Sequence, residues 1–139
     1  MAIVYLISCV SVKKASKAAA ADLYISSWFK KARAYTEKRA DAWFILSAQY
    51  GLVRPDALIE PYEKTLNAMR KKERLEWADN VMKSILSNTT VGDHVVFLAG
   101  ARYREFLAGR LSQLGYTVEA PLANMGIGEQ LSWLGENKK

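Results

Sequence analysis

Cysteine and histidine are nearly missing from this chain, each occurring once in 139 residues, as Cys9 and His94. A single thiol closes no intrachain disulfide, and one thiol with one imidazole gives no zinc-ligand spacing, so neither a disulfide scaffold nor a metal site is expected. Long apolar runs are lacking too. The run Ile3 to Ile7 is far too short for a signal peptide or a membrane span, and Met1-Ala2 carries no basic lead-in. With the lone cysteine fitting a reducing compartment, the expectation is a cytoplasmic protein with no membrane partner. Half of the residues are hydrophobic and 24% are charged, which excludes a disordered or collagen-like chain.

What is present fits one domain over residues 1–139, with no internal repeat, low-complexity tract or linker. A chain of this length buries roughly two-thirds of its unfolded surface and stands without cross-links. The formal charge of +6 favours anionic partners, of which nucleic acid is the commonest for a basic domain, although the same charge also serves solubility.

Taken in order, Ile3 to Ile7 is apolar and rich in β-branched residues, the pattern of a strand buried on both faces, and Ser8-Cys9-Val10-Ser11 leads away from it. From Ala20 to Arg39 the positions Leu23, Trp28, Ala32 and Tyr35 recur at helical spacing, in one helix or in two meeting near Ser26-Ser27. Trp43 to Leu46 is a second strand, and a long loop then runs to about Thr65. A helix over Asn67 to Ser87, a strand over His94 to Ala99 and a helix over Tyr103 to Leu114 capped by Gly115 follow. Thr117 to Glu119 is a short edge strand, and Asn124 to Leu134 is a glycine-containing turn opening a terminal helix. This alternation demands parallel strands joined by right-handed crossovers, so the fold class is α/β, a three-layer α/β/α sandwich around a four-stranded parallel sheet.

Ligands of open α/β sheets lie beyond the carboxyl ends of the strands. Those ends bring together Ser8 and Cys9, the exit Ser47-Ala48-Gln49-Tyr50-Gly51, Gly100, and the turn Gly126-Ile127-Gly128.

These segments also carry a resemblance. Ser47-Ala48-Gln49-Tyr50-Gly51-Leu52 with Pro55, followed by Ile59-Glu60-Pro61-Tyr62, resembles the corresponding segment of the YaaA-type peroxide-stress proteins. Leu6-Ile7-Ser8-Cys9 with Lys13-Lys14, Asp22-Leu23-Tyr24, Leu98-Ala99-Gly100 with Tyr103-Arg104, and Gly126 to Leu134 extend the match. Together they look like a family of short bacterial and phage proteins known as a domain of unknown function. The resemblance implies a uracil-DNA-glycosylase-like fold, and it places Tyr24 and Pro61 at the site. Such glycosylases carry a water-activating acid or amide after the first strand and a late His-Pro-Ser loop. Here Ser8-Cys9-Val10-Ser11 holds no Asp or Asn, and the late loop is absent.

Cleavage of an N-glycosidic bond needs a carboxylate near the sugar to orient water and stabilise an oxocarbenium-like centre. Glu60 is the first candidate, with Glu63 and Asp22 behind it; alternatively Glu60 caps a turn or pairs with Arg54, and Asp22 simply favours its helix dipole. Tyr50 and Tyr62 can sandwich a base, or pack their rings. Gln49 offers a donor and an acceptor to a base edge, and Gly51 allows close backbone approach. Ser8, Cys9 and Lys13 can hold a phosphate, although a buried structural thiol is the plainer reading of Cys9. Gly126 and Gly128 lack the dinucleotide fingerprint, so no cofactor is expected, and Gln130 should face the pocket. Lys14, Lys30, Lys31 and Arg33 are candidates for salt-dependent phosphate attraction, or form a solvated face. His94 falls at the opposite strand end and is read as structural.

The expected function is a nucleobase- or nucleotide-binding protein with N-glycosidic hydrolase chemistry of the DNA glycosylase type. The alternatives are a non-catalytic DNA- or RNA-binding module and a phage or bacterial protein-interaction domain on the same fold.

Overall fold

The computed structural model describes residues 1–8 and 13–136, so Cys9, Val10 and Ser11 lie outside the described residues. In chain order it comprises β1 (Ile3–Ser8), β2 (Ala18–Ala19), α1 (Ala20–Leu23), α2 (Ser27–Glu37), β3 (Ala42–Ser47), β4 (Gly51–Val53) and β5 (Leu58–Ile59). A 3-10 turn (Leu66–Ala68) leads to α3 (Lys71–Asn88), β6 (His94–Leu98), α4 (Ala101–Arg104), α5 (Ala108–Leu114), β7 (Thr117–Glu119) and α6 (Ile127–Glu136).

The main sheet has the order β4-β3-β1-β6-β7, and β1 pairs in parallel with both β3 and β6. Neighbouring residues of β1 face opposite ways, and both faces are apolar, which is why the strand reads as an unbroken hydrophobic run. On one face Val4, Leu6, Phe44, Leu46, Val95 and Phe97 meet Ala78, Val81 and Ile85 of α3 and Leu107 and Leu111 beside α5. On the other, Tyr5, Ile7, Ile45, Val96 and Leu98 meet Phe29, Ala32 and Tyr35 of α2 and Leu134 of α6. Each fully buried aliphatic side chain contributes roughly 1.5–3 kcal/mol, so this double-sided burial is the main support of the sheet. The result is three layers.

The sheet has five strands rather than four. β4 runs antiparallel beside β3, with Ser47 opposite Gly51 and Ile45 opposite Val53. Gly51 has φ +75°, a left-handed conformation in which a side chain is strained, and it lets the chain fold straight back on β3. A strand this short carries too little alternation to be read from sequence, so the segment looked like loop. The expected loop to Thr65 is also tied down further along, because β5 pairs antiparallel with β2. The helix expected over Tyr103 to Leu114 is two pieces, α4 and α5.

Two aspartates fix the start of β1. Asp93 accepts the Ala2 N–H at 3.0 Å and the Thr90 N–H at 2.9 Å, and Asp41 accepts the Ile3 N–H at 2.7 Å. The backbone N–H of Ala2, then that of Thr90, stabilise the ionised Asp93 carboxylate and hold its pKa below the usual aspartate value. Among the described residues no helix is long and apolar enough to cross a membrane.

Candidate functional site

Because β3, β1 and β6 are parallel, their exits lie on one edge of the sheet. Ser8 and Gly100 are joined there directly, the Gly100 N–H donating to Ser8 Oγ at 3.3 Å. Next to them the buried Ser47 forms a side-chain turn: its Oγ accepts the N–H groups of Gln49 at 3.2 Å and Tyr50 at 2.9 Å. The Trp77 indole N–H donates to the Ser47 carbonyl at 2.9 Å, so α3 pins the same exit from outside. The strand end is thereby held rigid while Gln49 and Tyr50 project outward.

Tyr50 is 41% exposed and stands edge-on to Tyr62, ring centroids 5.8 Å apart. Its hydroxyl donates to the Glu60 carbonyl at 3.4 Å. Tyr62 is in turn edge-on to the buried Tyr24 at 6.4 Å, and the two hydroxyls are hydrogen-bonded. The Lys13 ammonium lies 4.6 Å from the Tyr62 ring centre and 5.7 Å from that of Tyr24, within cation–π range. Lys13 and Tyr24 also form an isolated antiparallel backbone bridge. Residues far apart in sequence, Lys13, Tyr24, Tyr50, Glu60 and Tyr62, thus make one aromatic cluster with a positive charge on it and one ring open to solvent. Pro61 is half-buried between Glu60 and Tyr62.

A second feature flanks the β6 exit. A cavity of about 270 Å³ is lined by Gly100, Arg104, Asn124, Met125 and Gln130, among others. Arg104 is half-buried, and its Nε donates to the Ala99 carbonyl at 3.3 Å. Arg104 is not among the site residues expected from the sequence, although a base one helical turn past the strand-end Gly100 is an available signal. Gln130 lines the cavity, but its amide is already engaged: Oε1 accepts the Trp28 indole N–H at 2.8 Å and Nε2 donates to the Met125 carbonyl at 2.9 Å. It joins α6 to α2 and has less to offer a base than its position suggested.

A model described as a family of unknown function, DUF6884, matches residues 4–136. The chain belongs to DUF6884. No curated protein matches it. The family match spans every strand of the main sheet, and so covers both the aromatic cluster and the Arg104 cavity of this DUF6884 chain.

Several expected site residues stand apart from the cluster. Asp22 is ion-paired to Arg33 at 2.9 Å, and that hydrogen bond keeps its carboxyl below the usual range, as an anion rather than a proton donor. Arg33 also binds Glu37 at 3.2 Å and the Ala21 carbonyl at 2.9 Å, which leaves its guanidinium committed within the fold. Lys14, Lys30, Lys31 and Glu63 are exposed. Gly126 and Gly128 open α6, where the Gly126 N–H donates to Glu129 Oε1 at 3.3 Å. A side chain at Gly128 would meet nothing within 4 Å, so space does not demand glycine there. His94 starts β6 at the far edge, 3.7 Å from Glu119. Among the described residues no three His, Cys, Asp or Glu side chains are grouped to hold a metal ion.

Proposed function

We propose that this DUF6884 chain binds a nucleobase or nucleotide, in DNA or RNA, at the carboxyl edge of its sheet, and hydrolyses its N-glycosidic bond. The observation that carries the reading is the open Tyr50 ring, braced by Tyr62 and with the Lys13 ammonium nearby. A stacked base lies on such a ring without regard to sequence, and the cation draws in the attached phosphates. The resemblance of the Ser47–Leu52 and Ile59–Tyr62 segments to YaaA-type proteins, which implies a uracil-glycosylase-like fold, supports the reading from the sequence side, and the mostly parallel sheet is compatible with it.

In the hydrolytic step, water attacks C1′ while the C–N bond breaks and its electron pair leaves with the base; a carboxylate takes the proton of the water. Glu60 suits that role because it adjoins Tyr50 and is exposed, and among the described residues its carboxylate has no ion-pair partner, Arg54 included. The commitment of Asp22 to Arg33 favours a second reading, binding without catalysis.

Incubation with DNA and RNA carrying modified bases separates the two. Hydrolysis predicts release of free base that Glu60→Gln abolishes, with binding retained. Stacking predicts that Tyr50→Ala weakens binding by roughly 5- to 150-fold, the equivalent of about 1–3 kcal/mol per base. Binding without base release leaves the non-catalytic module, and absence of both refutes the proposal.

A further inference from the structure

We propose that the cavity between the β6 and β7 exits is a phosphate subsite, in which the Arg104 guanidinium pairs with the phosphate of the nucleotide whose base lies on Tyr50. The inference rests on the nucleobase reading only for the identity of the rest of the ligand.

The arginines of this chain differ in how their charge is met. Arg33, Arg74, Arg102 and Arg110 each have a carboxylate within 3.5 Å, Arg39 lies over the Tyr35 ring, and Arg54 and Arg70 are exposed to water. Arg104 has no such carboxylate among the described residues; its Nε bond to Ala99 is to a neutral carbonyl. The segments outside the description, 9–12 and 137–139, contain no acidic side chain that would pair with it. Nor does the cavity lining include an aspartate or a glutamate. A half-buried guanidinium facing a cavity with no counter-charge is costly to hold, and an anion in that cavity offsets the cost. Guanidinium is also the group that matches a phosphate with two parallel N–H donors.

Size and place narrow the anion. A space of about 270 Å³ falls below the range of drug-sized pockets, so it holds a phosphate with part of a sugar rather than a whole nucleotide. β3 and β6 are separated only by β1, two strand spacings or roughly 10 Å, so a ligand bridging the Tyr50 exit and the Gly100 exit passes over Ser8. A single nucleotide would then lay its base on Tyr50 and its phosphate at Arg104.

Titration of the full chain followed by amide and side-chain NMR tests this, with inorganic phosphate, adenosine and adenosine 5′-monophosphate as probes. The Trp28 indole N–H is a built-in reporter, because its acceptor Gln130 lines the cavity. Phosphate and the monophosphate should shift the Arg104 Nε–H and Trp28 indole resonances, and adenosine should not. Arg104→Gln should weaken phosphate and monophosphate binding by about ten- to a hundredfold, as loss of a charged hydrogen bond does. Tyr50→Ala should leave phosphate binding unchanged. Should Arg104→Gln fail to fold, Ala101→Asp is the second variant: Ala101 is exposed at the start of α4 and lines the cavity, so a carboxylate there should expel the anion and spare the fold. The proposal is overturned if millimolar phosphate leaves both resonances unmoved, or if neither variant weakens its binding. Phosphate bound at Arg104 with no base contact at Tyr50 keeps the subsite and removes the nucleobase reading. Adenosine bound at Tyr50, with a monophosphate no tighter and indifferent to Arg104, does the reverse.

Discussion

Ser47→Ala isolates what holds the exit of β3 in shape. The mutation deletes one oxygen atom, and that oxygen accepts two backbone N–H groups, those of Gln49 and Tyr50. Each neutral hydrogen bond contributes about 0.5–1.5 kcal/mol net, so the pair is worth about 2 kcal/mol, with the neighbouring water able to recover part of it because Gln49 and Tyr50 are exposed. For a domain of this size that corresponds to a fall in Tm of roughly 6–10 °C. The Trp77 bond to the Ser47 carbonyl is untouched, so α3 should remain docked and the loss should be local. Thermal unfolding by circular dichroism measures the global cost, and hydrogen exchange measures where it falls: protection should drop at the Gln49 and Tyr50 amides and persist along Val95 to Leu98. A Tm within 1 °C of the parent, with both amides still protected, would refute the role given to Ser47.

Other expectations follow from the same contacts. Asp93→Asn keeps one acceptor but loses the charge that satisfies Ala2 and Thr90, and should destabilise by about 1–3 kcal/mol in urea unfolding. Because the folded Asp93 pKa is depressed, its contribution is complete above the unfolded value of about 3.9 and is lost as pH falls through the lower folded value, so the variant should show a flatter acid limb than the parent. Gly51→Ala should cost about 1–2 kcal/mol from the left-handed backbone alone, since its new methyl would sit an ordinary 3.6 Å from Val81. Gly128→Ala, in a helix with open space around it, should instead stabilise by roughly 0.5–1 kcal/mol, seen as a higher Tm.

The strands buried on both faces were the most legible part of the chain, because Ile3 to Ile7, Phe44 to Leu46 and Val95 to Leu98 are apolar at every position. The long helix α3 was legible from its spacing for the same reason, since one stripe of it had to meet the sheet. β4 was not, since its three residues owe their strand geometry to β3 beside them. At the site, Tyr50 and Tyr62 stood out through their place after a buried strand, whereas the approach of Lys13 and Tyr24 to them depends on the β2–β5 pairing, which joins segments remote in sequence. Asp22 shows the opposite failure: a carboxylate in a first helical turn carries no mark of the Arg33 that captures it.

The sequence by itself determined the α/β alternation, the parallel strands at the centre of the sheet and the edge where their polar exits gather, because burial on two faces and crossover handedness leave few arrangements. Only the tertiary structure decided which charged groups on that edge are spent on one another and which are not. Hydrophobic pattern is a local property and can be read along the chain. Whether Arg33 finds Asp22, or Arg104 faces a cavity without a carboxylate, depends on distances between segments that packing alone sets.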